Sequence, residues 1–305
     1  MPFKPLRTFR HLQNRFCPFS YQYTSPSDYR FLIKKINLYF KMNPSKKAIY
    51  KAELDYLNQH SNPEKSVTMV WPYPFVKSYE AKNIDVFKDA ANGLFYVLQN
   101  GRKLYYSRKY NTVESVQESY NSLVVEQHPS SPHLYLKPGF EVAEGDFVMD
   151  IGAAEGNFSL DIVEKAGKIT IVEAEEHWIE ALNATFEPWK DKVEIIHKYI
   201  SDTNDSRCAT LKSLVGDTPV DFLKLDVEGA ELSILNSSAE LLKRKQIKKL
   251  AVCTYHKKND EQVFGQLLKG YGYDFSQTAG FMLFVYGQLT PPYFRKVLIQ
   301  AVARF

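Results

Sequence analysis

The sequence predicts an α/β fold, a largely parallel and doubly wound sheet with a smaller α+β domain in front of it. Three observations predict it. From about residue 141 to 287, short apolar runs alternate with amphipathic stretches of helical length, the pattern of strands covered by helices on both faces. Two of those runs end in acidic residues beside glycines, "FVMDIGAAEGNFSL" (147–160) and "DFLKLDVEGAEL" (221–232). Before residue 140 the alternation is missing, and a hairpin signal and a Pro/Ser-punctuated connector appear instead.

The totals set bounds. A chain of 305 residues, 44% hydrophobic and 24% charged, is ordinary for a globular protein with a sizeable core. Its 20 Tyr and 20 Phe are many, and filling the core accounts for them better than a ligand does. Cys17, Cys208 and Cys253 are odd in number, far apart and free of any CxxC spacing. That pattern opposes a disulfide framework or a zinc site and fits a reducing cytosol. No stretch approaches the ~18 apolar residues needed to span a bilayer, and the basic N-terminus leads into no apolar signal segment. The expectation is a cytoplasmic protein. Residues 1–60 carry 11 Lys+Arg against three acidic residues, a balance of +8, within a chain of net charge +4. Such an end could touch an anionic membrane surface or an acidic substrate, or be a solvated basic face.

In chain order, "DYRFLIKKINLYFKM" (28–42) sets Tyr29, Leu32, Ile33, Ile36, Tyr39 and Phe40 on one face, predicting a helix that docks on the core. "FYVLQNGRKLYYS" (95–107) puts Asn100-Gly101 between two β-rich arms, a strong hairpin signal. "EQHPSSPHLYLKPGF" (126–140) reads as the connector that closes a first domain at residue 140. Strands are expected at 146–152, 168–173, 193–199, 221–227, 249–255 and 281–286. Helices are expected near 156–166, 176–187, 230–245 and 260–270. The main domain then ends near residue 290, and "PPYFRKVLIQAVARF" (291–305) reads as a helical tail after Pro291-Pro292.

The glycine turn carries the first chemistry. Glycine lets the backbone approach a ligand closely, and the following helix start offers free N–H groups. The spacing Gly152-x-x-x-Gly156 is not the G-x-G-x-x-G of dinucleotide enzymes. Asp150 before the turn would repel a pyrophosphate and suits a cationic, amino-acid-like ligand such as S-adenosylmethionine. Both features discourage a nicotinamide dehydrogenase. Glu173 ends the next strand, 21 positions after Gly152, where a carboxylate can take both ribose hydroxyls. Ser201 and Asp202 follow the third strand, where an adenine amine or an ordinary cap would use them. Glu175 and Glu176 suit the first turn of the next helix.

The order "DIGAAEGNF", "VEAEEHW", "KYISD", "DFLKLDVEGAEL", "CTYH" resembles the FkbM family of S-adenosylmethionine-dependent O-methyltransferases, with "KLDVEGAE" its most specific element. The phrases "NGRKLYY" and "EQHPSSPHLY" look like a subgroup associated with bacterial glycan assembly. The resemblance covers about 141–287 and implies a class I methyltransferase sheet, Rossmann-like. It implies S-adenosylmethionine as cofactor, lined by Asp150, Gly152, Ala153, Glu155, Gly156, Asn157, Glu173, Ser201, Asp202 and Asp226. It also implies a saccharide or glycan hydroxyl as the methyl acceptor.

The family's strand order would set Asp226 beside "LAVCTYH", so that His256 emerges at the same edge. A carboxylate next to an imidazole makes an oriented base. The catalytic expectation is His256 as base, with Asp226 orienting it or the acceptor hydroxyl, or the reverse. Glu228 could bond an acceptor hydroxyl. With Asp226 and His256 it could instead hold Mg²⁺ or another divalent ion, but that ligand set is short and no resident metal is expected. Glu231, in the first turn after Gly229, suits a structural role at the helix start. His128 and His133 in the connector read as surface residues, with a cover over the pocket as the alternative, and Trp178 and Tyr255 read as packing, with an adenine or a sugar ring as the alternative partner.

Two other function classes compete. A nucleic-acid methyltransferase would show an Asn/Asp-Pro-Pro-aromatic turn after the fourth strand. "LDVEG" stands there instead, its acids would repel phosphates, and "WPYPF" (71–75) lies in the wrong region. No nucleic-acid partner is therefore expected. A non-catalytic module docking on glycan-assembly partners would not need Asp150, Glu173, Asp226 and His256 all intact.

Overall fold

The computed structural model describes residues 26–60, 70–284 and 289–305. The chain divides into two compact units, Met1–Ser78 with Phe281–Arg295, and Tyr79–Gly280 with Lys296–Phe305. The boundary expected at residue 140 thus falls inside the second unit. The connector it was read from is threaded into that unit's core, where Tyr135 and Phe140 are buried.

In the first unit, helix α1 (Pro26–Met42) buries Leu32, Ile33, Ile36 and Phe40, the stripe its 3.6-residue period predicts. It packs with Leu54 and Leu57 of α2 (Lys51–Gln59) and with Leu283 and Phe294. The last two belong to a short antiparallel pair, Met282–Leu283 with Phe294–Arg295. Tyr50 rests against Phe281 at 4.6 Å between ring centroids and stacks on Phe294 at 5.3 Å. Buried Glu53 accepts from the hydroxyl of Tyr73, which in turn accepts from the backbone N–H of Phe281 at 2.6 Å.

The second unit holds a seven-stranded sheet, numbered here in chain order. The strands are β1 (Phe147–Ile151), β2 (Lys168–Glu173), β3 (Val193–His197), β4 (Val220–Leu225), β5 (Ile247–Cys253), β6 (Tyr273–Gln277) and β7 (Leu298–Ala303). Their spatial order is 3-2-1-4-5-7-6, with β7 antiparallel to both neighbours. This is the class I methyltransferase arrangement of the Rossmann-like sheet. In the register of β1 against β4, Asp150 stands opposite Lys224 and Ile151 opposite Leu225. Around the sheet lie α3 (Val113–Glu126), α4 (Asn157–Ile162), α5 (Glu176–Phe186), α6 (Glu231–Ser237) and α7 (Asp260–Gly270). One face of the sheet is sealed by a core of Leu223, Leu225, Leu250, Val252, Ile234, Phe264 and Ile299.

The hairpin forms as expected, Phe95–Gln99 against Arg102–Tyr105. Asn100 and Gly101 both take positive φ, 50° and 78°, as a two-residue turn between twisted strands requires.

Two expectations are corrected. The C-terminal tail is not a helix: "LIQAVA" is β7, inserted between β5 and β6 and buried at five of its six positions. A short run apolar on both faces looks the same locally whether it becomes a helix or a central strand, and the sheet's two open neighbours decide it. The sixth strand is Tyr273–Gln277 rather than 281–286. Met282–Leu283 belongs to the first unit, and residues 285–286 lie outside the described residues. Among the described residues no helix is long and apolar enough to cross a membrane.

Candidate active site

The strand order reverses between β1 and β4, and open α/β sheets bind ligands at the carboxyl ends beside such a switch. The glycine turn leaves β1 there. Gly152 has φ +76°, and a Cβ on it would stand 1.9 Å from the carbonyl oxygen of Asp226. No side chain fits against backbone at that distance, so the turn and the acidic end of β4 touch through the main chain. The N–H of Asp226 also donates to the carbonyl of Ile151 at 3.1 Å. Gly156, φ +82°, starts α4, and a Cβ on it would meet Leu182 at 2.8 Å and Phe186 at 2.9 Å.

Glu173 ends β2 next to this turn. Its carboxylate accepts from the N–H of Ala154 and of Glu175, each at 2.7 Å. An ionised carboxylate has about four acceptor positions, so two remain for a pair of hydroxyls. Ala153 is buried in the turn, and the carbonyl of Asn157 accepts from the Gln99 amide at 2.8 Å. Glu155 is buried and turned toward α3, where it accepts from Ser119 at 3.1 Å. Ser201 donates to Asp202 at 3.2 Å on the strand-end side of β3, with Asp202 exposed.

Asp150 differs from expectation. Its side chain is fully buried and committed to two partners, the Lys224 ammonium at 3.0 Å and the Ser159 hydroxyl at 2.8 Å. It is not a free anion awaiting a cationic ligand. Lys224 also donates to the carbonyl of Gly152 at 2.6 Å, tying β4 to the glycine turn. Burial works against the charge on Lys224, but Asp150 and Asp226 outweigh it and hold the ammonium above the ordinary lysine range. Sequence reasoning missed Lys224 because "FLKL" reads as a strand with one stray cation. The available signal was positional: Asp150 and Lys224 are each one residue from the end of a buried strand, and neighbouring strands pair like with like.

Asp226 gathers a second cluster. Its Oδ2 accepts from the hydroxyl of Tyr135 at 3.1 Å, its Oδ1 from Tyr255 at 3.3 Å, and Nε2 of His256 lies 3.5 Å from Oδ1. The same Nε2 is 3.4 Å from Oε1 of Glu228, while Nδ1 is 2.8 Å from Oε1 of the fully buried Glu231. Glu231 also accepts from the N–H of Val227 at 3.0 Å, so it locks the strand exit as well as the ring. Burial opposes a charge on His256, but hydrogen bonds to Glu228 and Glu231, with Asp226 beside them, push its pKa up to about 10. Three carboxylates around one ring favour its charged form.

Tyr135 and His133 come from the connector, and His133 is not at the surface. His133 is 3% exposed, edge-on to Tyr135 at 4.9 Å and 3.7 Å from the Cys253 thiol. Burial pushes that thiol well above its usual range, so it stays neutral. His128 is half-buried. Trp178 is fully buried among Tyr106 and Tyr110, a packing residue.

Residues 189–282 match the family model described as the methyltransferase FkbM domain. The matched segment is similar to that domain and makes up under a third of the chain. The match runs from before β3 to beyond β6, so it contains Asp226, Glu228, Glu231 and His256 and leaves the glycine turn outside. Among curated proteins, nothing matches the chain. Solved structures similar to it include methyltransferase FkbM from Methylobacillus flagellatus, 14% identical over 62% of this chain and 53% of that one, TM-score 0.44. Another is precorrin-6y C5,15-methyltransferase from Geobacter metallireducens, 12% identical over 55% and 84%, TM-score 0.38. The chain spans about half the length of the first of these. Likenesses this distant say nothing about substrate, and the chemistry of this chain has to be read from its own residues.

Proposed function

We propose that the protein is an S-adenosylmethionine-dependent O-methyltransferase acting on a hydroxyl of a saccharide or glycan intermediate in the cytoplasm. One observation carries the reading: the backbone contact between Gly152 and Asp226, which puts a close-approach turn for a cofactor directly beside a carboxylate cluster fit to hold an alcohol. The residues suit that cofactor, with Glu173 toward the ribose, Gly152 to Gly156 along its amino-acid end, and Ser201 and Asp202 toward the adenine. Asp150 contributes by holding Lys224, not as a ligand.

In the transfer, the new C–O bond forms as the C–S bond breaks, and sulfur keeps the electron pair. An alcohol is a poor nucleophile at neutral pH, so it must be aligned and must lose its proton as the bond forms. Alignment can supply about 7–11 kcal/mol. The acceptor hydroxyl lies between Asp226 and Glu228, and its proton passes to one of these carboxylates, while the imidazole of His256 holds them in place. The acidic rim disfavours a nucleic-acid backbone as partner. Contact of the basic N-terminal residues with an anionic membrane surface is a further part of the proposal.

The test is incubation of purified protein with methyl-labelled S-adenosylmethionine and a panel of free, nucleotide-linked and lipid-linked saccharides. Label should enter a saccharide as an ether that resists mild base. Absence of cofactor binding by calorimetry would favour a non-catalytic module, and label in RNA or DNA would overturn the acceptor class.

A further inference from the structure

We propose that Asp226, Glu228 and His256 bind one divalent transition-metal ion, with Glu231 as the residue that orients the imidazole. The proposal deepens the methyl-transfer reading of the same strand ends and rests on it for the ion's use, not for its binding.

The distances point to it. One ligand atom from each of the three residues lies within 4.8 Å of the others. Nε2 of His256 stands 3.4 Å from Glu228 and 3.5 Å from Asp226. Hydrogen bonds between charged partners close to about 2.7–2.9 Å, and the Nδ1 contact with Glu231 at 2.8 Å does so. The two Nε2 contacts are longer, and one N–H cannot point at two oxygens. Their spacing is that of ligands around an ion, since two atoms each about 2.1 Å from a tetrahedral centre stand about 3.4 Å apart.

The surroundings fit as well. A metal-bound histidine commonly gives its other ring nitrogen to a carboxylate, which sets the tautomer. Fully buried Glu231 does this at Nδ1 and leaves Nε2 facing the two carboxylates. The hydroxyls of Tyr135 and Tyr255 fix the Asp226 carboxylate. Glu228 reaches the cluster only because its backbone takes φ +60° ahead of Gly229 at +94°. A side-chain-bearing residue in that region is uncommon and is held there by its surroundings. Two carboxylates and an imidazole that releases its Nε2 proton on binding balance a doubly charged ion. One nitrogen and two oxygens suit Mn²⁺, Fe²⁺, Co²⁺ or Zn²⁺ better than the all-oxygen shells of Ca²⁺ and Mg²⁺. Glu228 is 29% exposed, so the open side of the ion faces outward, as in metal sites that take a substrate oxygen. The chemical class it would take there is a hydroxyl or vicinal diol of a saccharide.

The experiment uses the full chain, stripped with chelator and titrated with Co²⁺ by visible absorption and with Mn²⁺ by calorimetry. One ion per chain is expected, with Co²⁺ bands of four- or five-coordination. Glu228→Gln should weaken binding tenfold or more while its thermal melt stays near that of the parent. The proposal is overturned by the absence of saturable binding or by equal affinity in Glu228→Gln. It is also overturned if Cys253→Ser alone abolishes binding, which would put the ion on the neighbouring His133, Asp226 and Cys253. Methyl-transfer assays with and without chelator separate the two readings. Metal binding without any saccharide methylation supports the ion and defeats the proposed reaction. Full-rate methylation in chelator defeats the ion and leaves the reaction standing.

Discussion

Asp150 and Asp226 are both buried, both at the carboxyl edge of the sheet, and on neighbouring strand ends, yet their surroundings make opposite use of them. Asp150 meets one lysine and one hydroxyl and is closed off at both oxygens. Asp226 shares a single imidazole with Glu228 and Glu231, so three carboxylates crowd one histidine. A matched pair in the interior holds strands together. Three carboxylates around one ring hold more acceptor positions than a single imidazole can fill, which suits a ligand's proton or a cation. The lesson is that stoichiometry of charge, more than burial, separates a structural acid from a chemical one.

The largest test of that contrast is Asp226→Asn. Methyl transfer should fall by about 10²–10⁴-fold, the range for losing a positioned acid–base group, while the dissociation constant for S-adenosylmethionine changes much less. Single-turnover kinetics with labelled cofactor, read beside calorimetry, would check it. Equal loss in both would make Asp226 a cofactor ligand and break the comparison.

Lys224→Met comes next. It strands Asp150 in the interior and should destabilise the protein by about 3–5 kcal/mol in urea unfolding, the usual cost of breaking a buried pair. Adding Asp150→Leu should recover much of that. A stable but inactive Lys224→Met protein would move the pair into the chemistry.

Tyr135→Phe is smaller. Removing one hydrogen bond to the Asp226 carboxylate should cost about 0.5–3 kcal/mol and impair turnover more than it impairs the melt. An effect on stability alone would make Tyr135 part of the core only.

The smallest effect sharpens the contrast from outside the site. His177 bonds the Ser107 hydroxyl at 3.0 Å. Burial first, and Lys109 second, lower its pKa from 6.5 to about 4. The unfolded chain therefore takes up a proton before the folded one does. Stability should be level above pH 6.5 and decline as pH falls toward 4, and His177→Gln should flatten that part of a urea-midpoint profile. An unchanged profile would mean that another group governs the acid limb.

Much of the sheet was legible beforehand. The strands from β1 to β5 follow apolar runs ended by acids or glycines, and Asn100-Gly101 marked its hairpin, because these are local signals of period and turn geometry. β7 was not legible, since apolar residues fall on both of its faces and its place between β5 and β6 is a long-range pairing. Glu231 stood out as a residue of the first helical turn, but its bond to Nδ1 of His256 did not, because that needs β4 and β5 side by side. Tyr135 and His133 were hidden for the same reason: a Pro-rich connector looks like surface until it is threaded under the strand ends.

By itself the sequence determined the alternation of strands and helices, the two glycines where no side chain can stand, and the inventory of acids at the strand ends. Those follow from periodicity and backbone sterics within a few residues. Only the tertiary structure decided which acid receives which cation. Lys224 goes to Asp150 through the register of β1 on β4, and His256 goes to Asp226, Glu228 and Glu231 through the adjacency of β4 and β5. Electrostatic fate depends on distance in space, and residues far apart in the chain acquire that distance when the strands pair.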